Sequence, residues 1–547
     1  MSKKFLLVFI FILIIAIAAF LRLYRIADIP PGVNRDEASI GYTAYSLLKT
    51  GKDEYGRTFS ISFQSFGDWK LPLYIYTVVP FVSIFGLSEF AVRLPSAFFG
   101  ILSVFLTFYL VKMLFKNNLL SFISMFLVAI SPWSIHLSRV ESESNTAVSL
   151  TLLGTILFLR SLNSRNWLII PSFICFALTY FTYAGNHIFT TLLLVGFVYL
   201  YRNKIPRTRV TSVGVVLLIV MAGFIFSKTL FEADKTKLSG ISIFGDPSII
   251  HAKIEIPRNE HNNPKSFFTK GIHNRVIYGA EKIAQNYLNS FSPEFLFVRG
   301  GGNNSHNIVN FGNMYLIEAP FLFLGLIYLF VIKKGRERNL ILLWFFIAPI
   351  AASITKDAPH TNRMFSIFPI LSLTSAFGIY WLLTEIIRKK LFKKMFIGLL
   401  IALFIINVLM YIDRYFVHFP RNEAANWGIG YRALNELLTT PSLSSKKVIM
   451  ARPKYSPYIY LLFYSKYDPA LYQREAVRYP PTQDGFVDVR AFGRYEFRDI
   501  DWNRDLRQDV VLVTWSSQVP EPIKISYKTQ EITLLNGESM FTVIEVR

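Results

Sequence analysis

Two adjacent carboxylates, Asp36 and Glu37, are the residues of this chain best placed for acid–base chemistry. They follow the first long apolar run, Phe5 to Leu21, by about fifteen residues. A carboxylate just outside a bilayer can accept a proton from a substrate hydroxyl or bind a hard metal ion. The pair therefore predicts a reaction at a membrane surface.

Cations recur near the same predicted membrane boundary. Lys70 lies in the segment Gly67 to Tyr74, and Arg93 lies in the segment Glu89 to Ser96. Later turns add further basic and acidic groups, and the candidates for a phosphate site are Lys70, Arg93, Arg139, His360 and Arg363. The alternative is that these side chains anchor the chain at the interface with their apolar stems. Acids in the same segments extend the candidate site to Asp68, Glu141 and Glu143.

The acidic pair lies at a predicted helix start. Residues 34–40 have the pattern of an N-terminus, with Asp36 near the cap, and Gly51 ends the helix. The apolar stripe predicts a helix lying on the membrane surface, and its residues are Ile40, Ala44, Leu47 and Leu48. The alternative is that Asp36 only caps the helix and Glu37 only faces water.

Composition indicates a membrane protein that crosses the bilayer many times. Hydrophobic residues make up 52% of the 547 residues, with 51 Phe and a mean hydropathy of +0.38. A helix needs roughly 17 to 25 apolar residues to cross the hydrocarbon core. We predict about eleven transmembrane helices: 5–23, 94–115, 118–137, 144–162, 166–183, 186–202, 209–228, 314–333, 338–355, 363–387 and 392–412.

Basic residues predict the orientation of these spans. Lys and Arg collect in alternate connections, whereas the short connections on the other side contain Arg139, Lys356 and Arg363. This bias places the N-terminus in the cytoplasm. Residues 72–88 contain Pro72 and Pro80 and are predicted to be interfacial or re-entrant, because an extra span would reverse every later loop.

The net charge of +22 follows from this cytoplasmic basic collar, so the pattern argues against nucleic-acid binding. The first apolar run resembles a signal peptide in length, but no small-residue cleavage site precedes Arg22, so we expect a retained helix. The single cysteine, Cys175, has no partner for an internal disulfide, so the sequence argues against a redox function.

The predicted topology divides the chain into two domains. Residues 1–412 form a transmembrane catalytic domain with outer loops at 24–93 and 229–313, and residues 413–547 form a small extracytoplasmic α/β domain. The predicted elements of the second domain are strands at 447–451, 509–515 and 540–546 and a helix at 424–438. Its Tyr and Arg residues suit contact with a glycan, and an inert cap is the alternative.

Several motifs taken together resemble the GT-C superfamily of glycosyltransferases. They are Asp-Glu after the first span, Gly-Asp-Trp-Lys-x-Pro-Leu-Tyr, Val-Arg-Leu-Pro-Ser, Ser-Arg-x-Glu and Ala-Pro-His-x-x-Arg. Over residues 5–412 the chain is similar to the bacterial branch of the protein O-mannosyltransferases and to the lipid A aminoarabinose transferases. The fold class implied is a polytopic α-helical membrane protein of GT-C type with a small C-terminal soluble domain.

The resemblance implies a polyprenyl-phosphate-linked sugar as donor and direct, inverting transfer to a hydroxyl on the non-cytoplasmic side. Asp36 matches the general base and Glu37 its companion, while Lys70 and Arg93 match phosphate-binding residues. Two positions depart from the pattern. Trp69 stands where the aminoarabinose transferases have an acid immediately before the lysine, so the resemblance does not assign ligands to a divalent metal ion. His187 stands where an arginine is expected.

The expected setting is the plasma (inner) membrane, with membrane lipids around the spans and a protein, lipid or glycan as acceptor. Two other classes of membrane protein could also have many transmembrane helices. A lipid-linked sugar flippase or transporter would place its polar groups near the bilayer midplane, whereas here they cluster at one surface. A non-catalytic scaffold would not need the acids and bases at the boundary.

Overall fold

A computed structural model describes residues 2–163, 165–228, 242–245, 247–451, 456–482 and 486–546. The chain divides into two compact units. The helical unit contains residues 1–22, 96–138 and 142–411, and the sheet unit contains residues 23–95, 139–141 and 412–547. The outer loop after the first predicted span therefore belongs to the same compact unit as the C-terminal tail.

All eleven predicted spans coincide with helical segments. Among the described residues, five helices are long and apolar enough to cross a membrane, or six if the bent pair Asn118–Ile130 and Pro132–Arg139 forms one span. The chain is thus a multi-pass helical protein, and the number eleven stays a prediction. The α-helices assigned wholly or mainly to the helical unit are Lys3–Leu23, Glu89–Phe115, Asn118–Ile130, Pro132–Arg139, Glu143–Ser161, Ile169–Tyr180, Gly185–Tyr201, Arg209–Lys228, Pro247–Ile250, Ile256–Asn259, Phe267–Ile272, Arg275–Asn289, Ala319–Ile327, Arg336–Ile347, Ile350–Ser353, Thr361–Met364, Phe368–Trp381 and Lys390–Asp413.

The bent pair meets at a 52° angle because Pro132 has no amide hydrogen to continue the helical ladder. Arg22, at the end of the first helix, is fully buried beside the break. Its guanidinium donates to the carbonyls of Val128 and Ala129 and to the hydroxyl of Ser134. A charged side chain inside the unit thereby satisfies carbonyls that the bend leaves without helical partners.

Two glycines allow close approach of the helices Ala319–Ile327 and Phe368–Trp381. A Cβ on Gly325 would lie 1.8 Å from the carbonyl oxygen of Thr374, and a Cβ on Gly378 would lie 2.0 Å from that of Phe321. Any larger residue must therefore separate the two backbones. Small residues are typical of tightly packed membrane helices, whose association rests on van der Waals contact.

The described part of the sheet unit contains the strands β1 Phe63–Ser65, β2 Asp68–Lys70, β3 Lys447–Met450, β4 Val477–Arg478, β5 Val489–Phe492, β6 Tyr495–Phe497, β7 Val510–Trp515, β8 Lys528–Thr533 and β9 Ser539–Glu545. Strands β1 and β2 form a separate hairpin. The other seven form one sheet of order β4-β5-β6-β3-β7-β9-β8, in which β3 runs parallel to β6 and β7 and the other pairs are antiparallel. The predicted C-terminal sheet is confirmed.

The core of the sheet unit joins the first outer loop to the tail. The Arg35–Thr50 helix packs on Pro72–Phe85, Tyr458–Ser465 and Pro469–Glu475. Ile40 and Ala44, half of the stripe predicted to face the membrane, are fully buried in this protein core. The remaining helices of the unit are Phe419–Asn422, Ile429–Leu438, Trp502–Asp505 and Glu521–Ser526.

Candidate functional site

The two acids of the Asp36–Glu37 pair face different surroundings because of the helix cap. Asn34 is the N-cap residue: its side-chain oxygen accepts from the Glu37 amide at 2.8 Å, and the Glu37 carboxylate accepts from the Asn34 amide at 3.2 Å. This reciprocal capping box fixes Glu37 at the third helical position. Asp36 therefore lies near the cap, as predicted, two residues after the N-cap residue Asn34.

Glu37 is fully buried and forms a bidentate ion pair with Arg93. The two carboxylate oxygens lie 2.9 Å from Nε and from Nη2 of the guanidinium, and neither side chain is exposed. The backbone amide of Glu141 donates to the same carboxylate at 3.0 Å. The alternative in which Glu37 faces water is excluded. Glu37 instead holds three segments of the sheet unit together.

Arg93 uses all its remaining hydrogens on one loop. Nη1 donates to the carbonyls of Ile26 and Pro30 at 2.9 Å each, and Nη2 also donates to that of Gly32. A guanidinium has five N–H groups, and here all five are engaged. In this arrangement every donor already has a protein partner, and the phosphate-binding role that the resemblance implies stays a prediction. Arg93 anchors residues 25–32, the proline loop, which leads into the acidic pair.

Arg139 binds the same proline loop from another side. Its Nη2 donates to the carbonyls of Ile29 at 2.9 Å and Arg25 at 3.3 Å. Its guanidinium carbon lies 4.9 Å from the ring centre of Phe416 and 5.4 Å from that of Tyr415. Carbonyl contacts and aromatic faces are a suitable enclosure for a buried cation. The observed contacts of Arg139 are thus those of a second anchor.

Asp36 points out of this scaffold and meets Lys70. The ammonium lies 2.8 Å from Asp36 Oδ1. The Asp36 side chain is 44% exposed, whereas the Lys70 side chain is 9% exposed. The β1–β2 hairpin delivers Lys70, since it is the last residue of β2, and Asp68 is the first. A carboxylate open to solvent next to a shielded cation is an arrangement that can receive both a hydroxyl and an anion.

The other predicted site residues belong to the helical unit. His360 caps the Thr361–Met364 helix, with Nδ1 accepting from the Arg363 amide at 3.4 Å. Burial, together with His306 and Arg363, lowers the pKa of His360 to about 2. The ring is therefore neutral at physiological pH, and the place of His360 in a phosphate site stays a prediction.

Arg363 retains donor capacity in this unit. Its Nη2 lies 3.1 Å from Oδ2 of Asp357, and its Nη1 is buried without a hydrogen-bond partner among the described residues. Glu143 begins the Glu143–Ser161 helix and lies, with Arg363, within electrostatic range of Tyr183. The Nε2 atom of His187 lies 2.8 Å from the carbonyl oxygen of Tyr180.

The predicted residues thus fall into two groups. Asp36, Glu37, Lys70, Arg93 and Arg139 are brought together in the sheet unit with Glu141, and Glu143, His360 and Arg363 lie in the helical unit. Across the described ranges, no three or more His, Cys, Asp or Glu side chains form a group that could hold a metal ion. Within these ranges, the side chains present do not fit a divalent metal ion.

Residues 70–231 match the family model for dolichyl-phosphate-mannose-protein mannosyltransferase. The predicted family resemblance is confirmed. The matched segment is less than a third of the chain, begins at Lys70, and contains Arg93, Arg139, Glu141, Glu143 and His187. Among curated proteins, none matches the sequence.

The fold is similar to that of a solved protein whose two structures each align with nearly the full length of this chain. ArnT from Cupriavidus metallidurans in the apo state superposes with a TM-score of 0.52 at 11% identity, covering 100% of this chain and 99% of that one. The same protein bound to undecaprenyl phosphate gives 0.53 at 11% identity, with 99% and 98% covered. The Archaeoglobus fulgidus oligosaccharyltransferase in the apo form gives 0.49 at 15% identity, with 85% and 64% covered.

Sequence reasoning on this mannosyltransferase-like chain missed three features of the site. The Asn-x-x-Glu spacing of Asn34 and Glu37 is a capping-box pattern that was readable in the sequence. Arg35, whose guanidinium carbon lies 4.7 Å from the ring centre of Phe66, was not selected as a site residue. The carbonyls of the proline loop carry no side-chain signal at all, so their contacts with both arginines could not be anticipated.

Proposed function

We propose that this protein is a membrane glycosyltransferase that moves a monosaccharide from a polyprenyl-phosphate donor to a hydroxyl acceptor, with inversion at the anomeric carbon. The observation that carries the proposal is the Asp36–Lys70 pair, 2.8 Å apart, with the carboxylate open to solvent and the ammonium shielded. The mannosyltransferase family match and the GT-C-like fold support the same reaction class.

Asp36 acts as the general base in this proposal. The acceptor hydroxyl attacks the anomeric carbon as the bond to the donor phosphate breaks, and the hydroxyl proton passes to the Asp36 carboxylate. The hydroxyl becomes acidic only as the new bond forms, so a carboxylate is basic enough to take the proton late in the step. A positioned general base contributes typically about 10² to 10⁴ in rate. The exposure of Asp36 leaves room for an acceptor to approach.

Lys70 stabilises the leaving phosphate. Polyprenyl phosphate departs as an anion, so it needs positive charge and hydrogen-bond donors but no proton from an acid. Preorganised cations in a shielded site stabilise developing negative charge more strongly than they do in water. With its side chain 9% exposed, the Lys70 ammonium meets this requirement. Without substrate, the ammonium pairs with Asp36. When the donor phosphate binds next to Lys70, Asp36 gives up part of its contact with the ammonium and accepts a hydrogen bond from the acceptor hydroxyl.

The helical unit offers a second candidate for the phosphate. The buried Nη1 of Arg363 has no hydrogen-bond partner among the described residues, and an unsatisfied buried N–H group costs about 1–3 kcal/mol or more when charged. A donor phosphate would remove that cost. Glu143, Tyr183 and Asp357 share the electrostatic surroundings of this guanidinium.

Glu37, Arg93 and Arg139 are positioning residues in this mechanism. Their contacts hold the proline loop, which precedes Asp36 by only a few residues, and the capping box fixes the start of the helix that carries the base. A base must lie within hydrogen-bond reach of the hydroxyl. A displacement of about 1 Å at a reacting group can lower the rate by about 10²-fold.

The setting proposed is the plasma (inner) membrane, with a cytoplasmic N-terminus and both the first outer loop and residues 413–547 on the extracytoplasmic side. The acceptor is a hydroxyl of a protein, a lipid or a glycan. A comparison of cell-envelope glycoconjugates by mass spectrometry, with and without the gene, assigns the sugar and the acceptor from the mass difference that disappears.

Purified protein in lipid nanodiscs tests the reaction directly. Donors carrying different radiolabelled monosaccharides are supplied with envelope extracts as acceptors, and release of polyprenyl phosphate is measured. The wild type and Asp499→Asn, a matched change of an exposed acid in the same unit but outside the proline loop, should be equally active. Asp36→Asn should lose at least 10²-fold in turnover while retaining donor binding.

Near-normal turnover of Asp36→Asn would remove Asp36 from the role of base. If the wild type in vesicles moves the intact labelled donor across the bilayer without releasing polyprenyl phosphate, the chain is a flippase and the proposed reaction is wrong.

A further inference from the structure

The segment 265–289 of the helical unit carries large apolar side chains that no other described part of the chain covers. It contains the helices Phe267–Ile272 and Arg275–Asn289, within the predicted outer loop 229–313. Phe267 is 87% exposed, Phe268 79%, Val276 78% and Leu288 68%. Single exposed apolar residues are ordinary, whereas several large ones within one short segment mark a surface that binds something.

The Arg275–Asn289 helix is docked in one orientation, so its exposed face is well defined. Asn286 is fully buried and donates to the carbonyls of Ser353 and Thr355 at 2.9 and 3.0 Å. Gly279 is buried on the same face, where an added Cβ would lie 2.5 Å from the ring of Phe244. These contacts fix the inner face of the helix.

The outer face is itself divided into two strips. Residues four apart lie on one side of an α-helix, and Val276, Ala280, Ala284 and Leu288 form such a row, all of them exposed. Glu281 and Gln285, one position further on, are also exposed and form a polar row beside it. The helix is thus docked on one side, polar on a second and apolar on a third.

Basic residues accompany the apolar strip. Lys265, Lys270 and Arg275 are exposed and lie next to Phe267, Phe268 and Val276 in the chain. Aromatic and aliphatic side chains flanked by Lys and Arg are the composition of helices that lie in the lipid headgroup region, where the apolar side enters the acyl boundary and the cations meet phosphates. A protein partner would not require this combination of cations and unshielded phenylalanines.

We propose that residues 265–289 lie in the lipid–water interface as a membrane-bound helix pair. Phe267, Phe268, Val276 and Leu288 enter the outer acyl region, and the neighbouring lysines and arginine contact lipid phosphates. A multi-pass protein holds its outer loops close to the bilayer, so the helix pair reaches lipid without any further partner. This assignment does not depend on the glycosyltransferase reaction.

Site-specific labelling in vesicles tests the proposal. In a Cys175→Ala background, single cysteines replace Phe268, Val276 and Leu288 on the apolar side and Glu281 and Gln285 on the polar side. Each is labelled with an environment-sensitive fluorophore and reconstituted into vesicles of phosphatidylcholine with phosphatidylglycerol. Spin-labelled lipids should quench the three apolar-side labels at least twofold more than the two polar-side labels. Aqueous iodide should show the opposite order.

Equal quenching by iodide at all five positions would overturn the proposal. The proposal would also be overturned if both iodide and the lipid quenchers failed to reach the apolar-side labels. That result would indicate that a second copy of the chain or another protein covers the strip. Replacing Lys265, Lys270 and Arg275 by Gln should lower lipid quenching at Val276 in phosphatidylglycerol vesicles. The same change in pure phosphatidylcholine vesicles serves as the control and should have a smaller effect.

Discussion

Glu37 and Arg93 form an ion pair in which neither side chain is exposed to solvent. The preceding residue of the helix, Asp36, is nearly half exposed and pairs with Lys70. Two acids that are adjacent in sequence therefore have unlike environments, because successive helical residues point about 100° apart and the capping box fixes which one turns inward. The inward acid organises the proline loop, and the outward acid is available for chemistry.

Glu37→Gln should destabilise the sheet unit strongly. The change leaves the Arg93 guanidinium buried without a compensating charge, and breaking a buried pair in this way costs roughly 3–5 kcal/mol. Unfolding followed by tryptophan fluorescence in detergent should show a midpoint lowered by roughly 6–20 °C, at about 2–4 °C per kcal/mol. Asp36→Asn, which alters a half-exposed pair, is the matched control and should change the midpoint little. Equal midpoints for the two variants would show that the buried pair is not a stabilising contact.

Arg139→Lys should lower the catalytic rate without weakening donor binding. A lysine retains the charge but lacks the forked donors with which Nη2 reaches the carbonyls of Ile29 and Arg25. The proline loop then loses an anchor, and the geometry at Asp36 suffers. Steady-state kinetics should show a fall in kcat of about 10-fold or more with KM for the donor nearly unchanged, as expected for a lost positioning contact. A rise in donor KM alone would instead favour the phosphate-binding role that the sequence analysis predicts for Arg139 from its place at the membrane boundary.

Much of the fold was predictable because helical spans are encoded by long apolar runs and strands by short β-branched runs. The strand from 510 to 515 and the helix from 429 to 438 both lie within predicted segments. The joint core of the first outer loop and the tail was not predictable. Ile40 and Ala44 form an apolar stripe whether they face lipid or protein, and periodicity does not distinguish these two partners.

The site was predictable in its residue types but less so in their roles. Asp36 and Lys70, an acid and a cation predicted to lie at the membrane boundary, form an ion pair. This contact agrees with the expectation that they share a site. The engagement of Arg93 by backbone carbonyls was hidden, because a carbonyl contributes the same group at every position. For His360, a neutral ring follows from burial, which the sequence around it does not reveal.

Lys70→Gln should raise KM for the donor and lower kcat, because the proposed phosphate contact loses its charge both in the bound donor and in the transition state. Loss of one charge-assisted contact predicts a fall in kcat/KM of about 10- to 10³-fold. Lys70→Arg should recover part of the activity, since it keeps the charge. Lys52→Gln, an exposed lysine of the same loop, is the control. Full activity of Lys70→Gln would separate Lys70 from the reaction and leave Arg363 as the remaining candidate.

Glu54 should give the sheet unit a distinctive pH dependence of stability. Burial raises the pKa of its carboxyl to about 8, with Asp53 also raising it and Arg478 and Arg57 opposing the shift. Neither carboxylate oxygen accepts a hydrogen bond from the described residues. A folded-state pKa above the unfolded value near 4.3 means that the folded protein binds the extra proton, so the associated stability is complete below about pH 4 and is lost as pH rises to about 8.

The unfolding midpoint of the wild type should therefore fall between pH 5 and pH 8 relative to that of Glu54→Gln, which cannot ionise. Glu531→Gln, a change of an exposed acid on β8, should follow the wild type across the same range. Parallel curves for the wild type and Glu54→Gln would mean that Glu54 is ionised in the folded protein and has a charged partner.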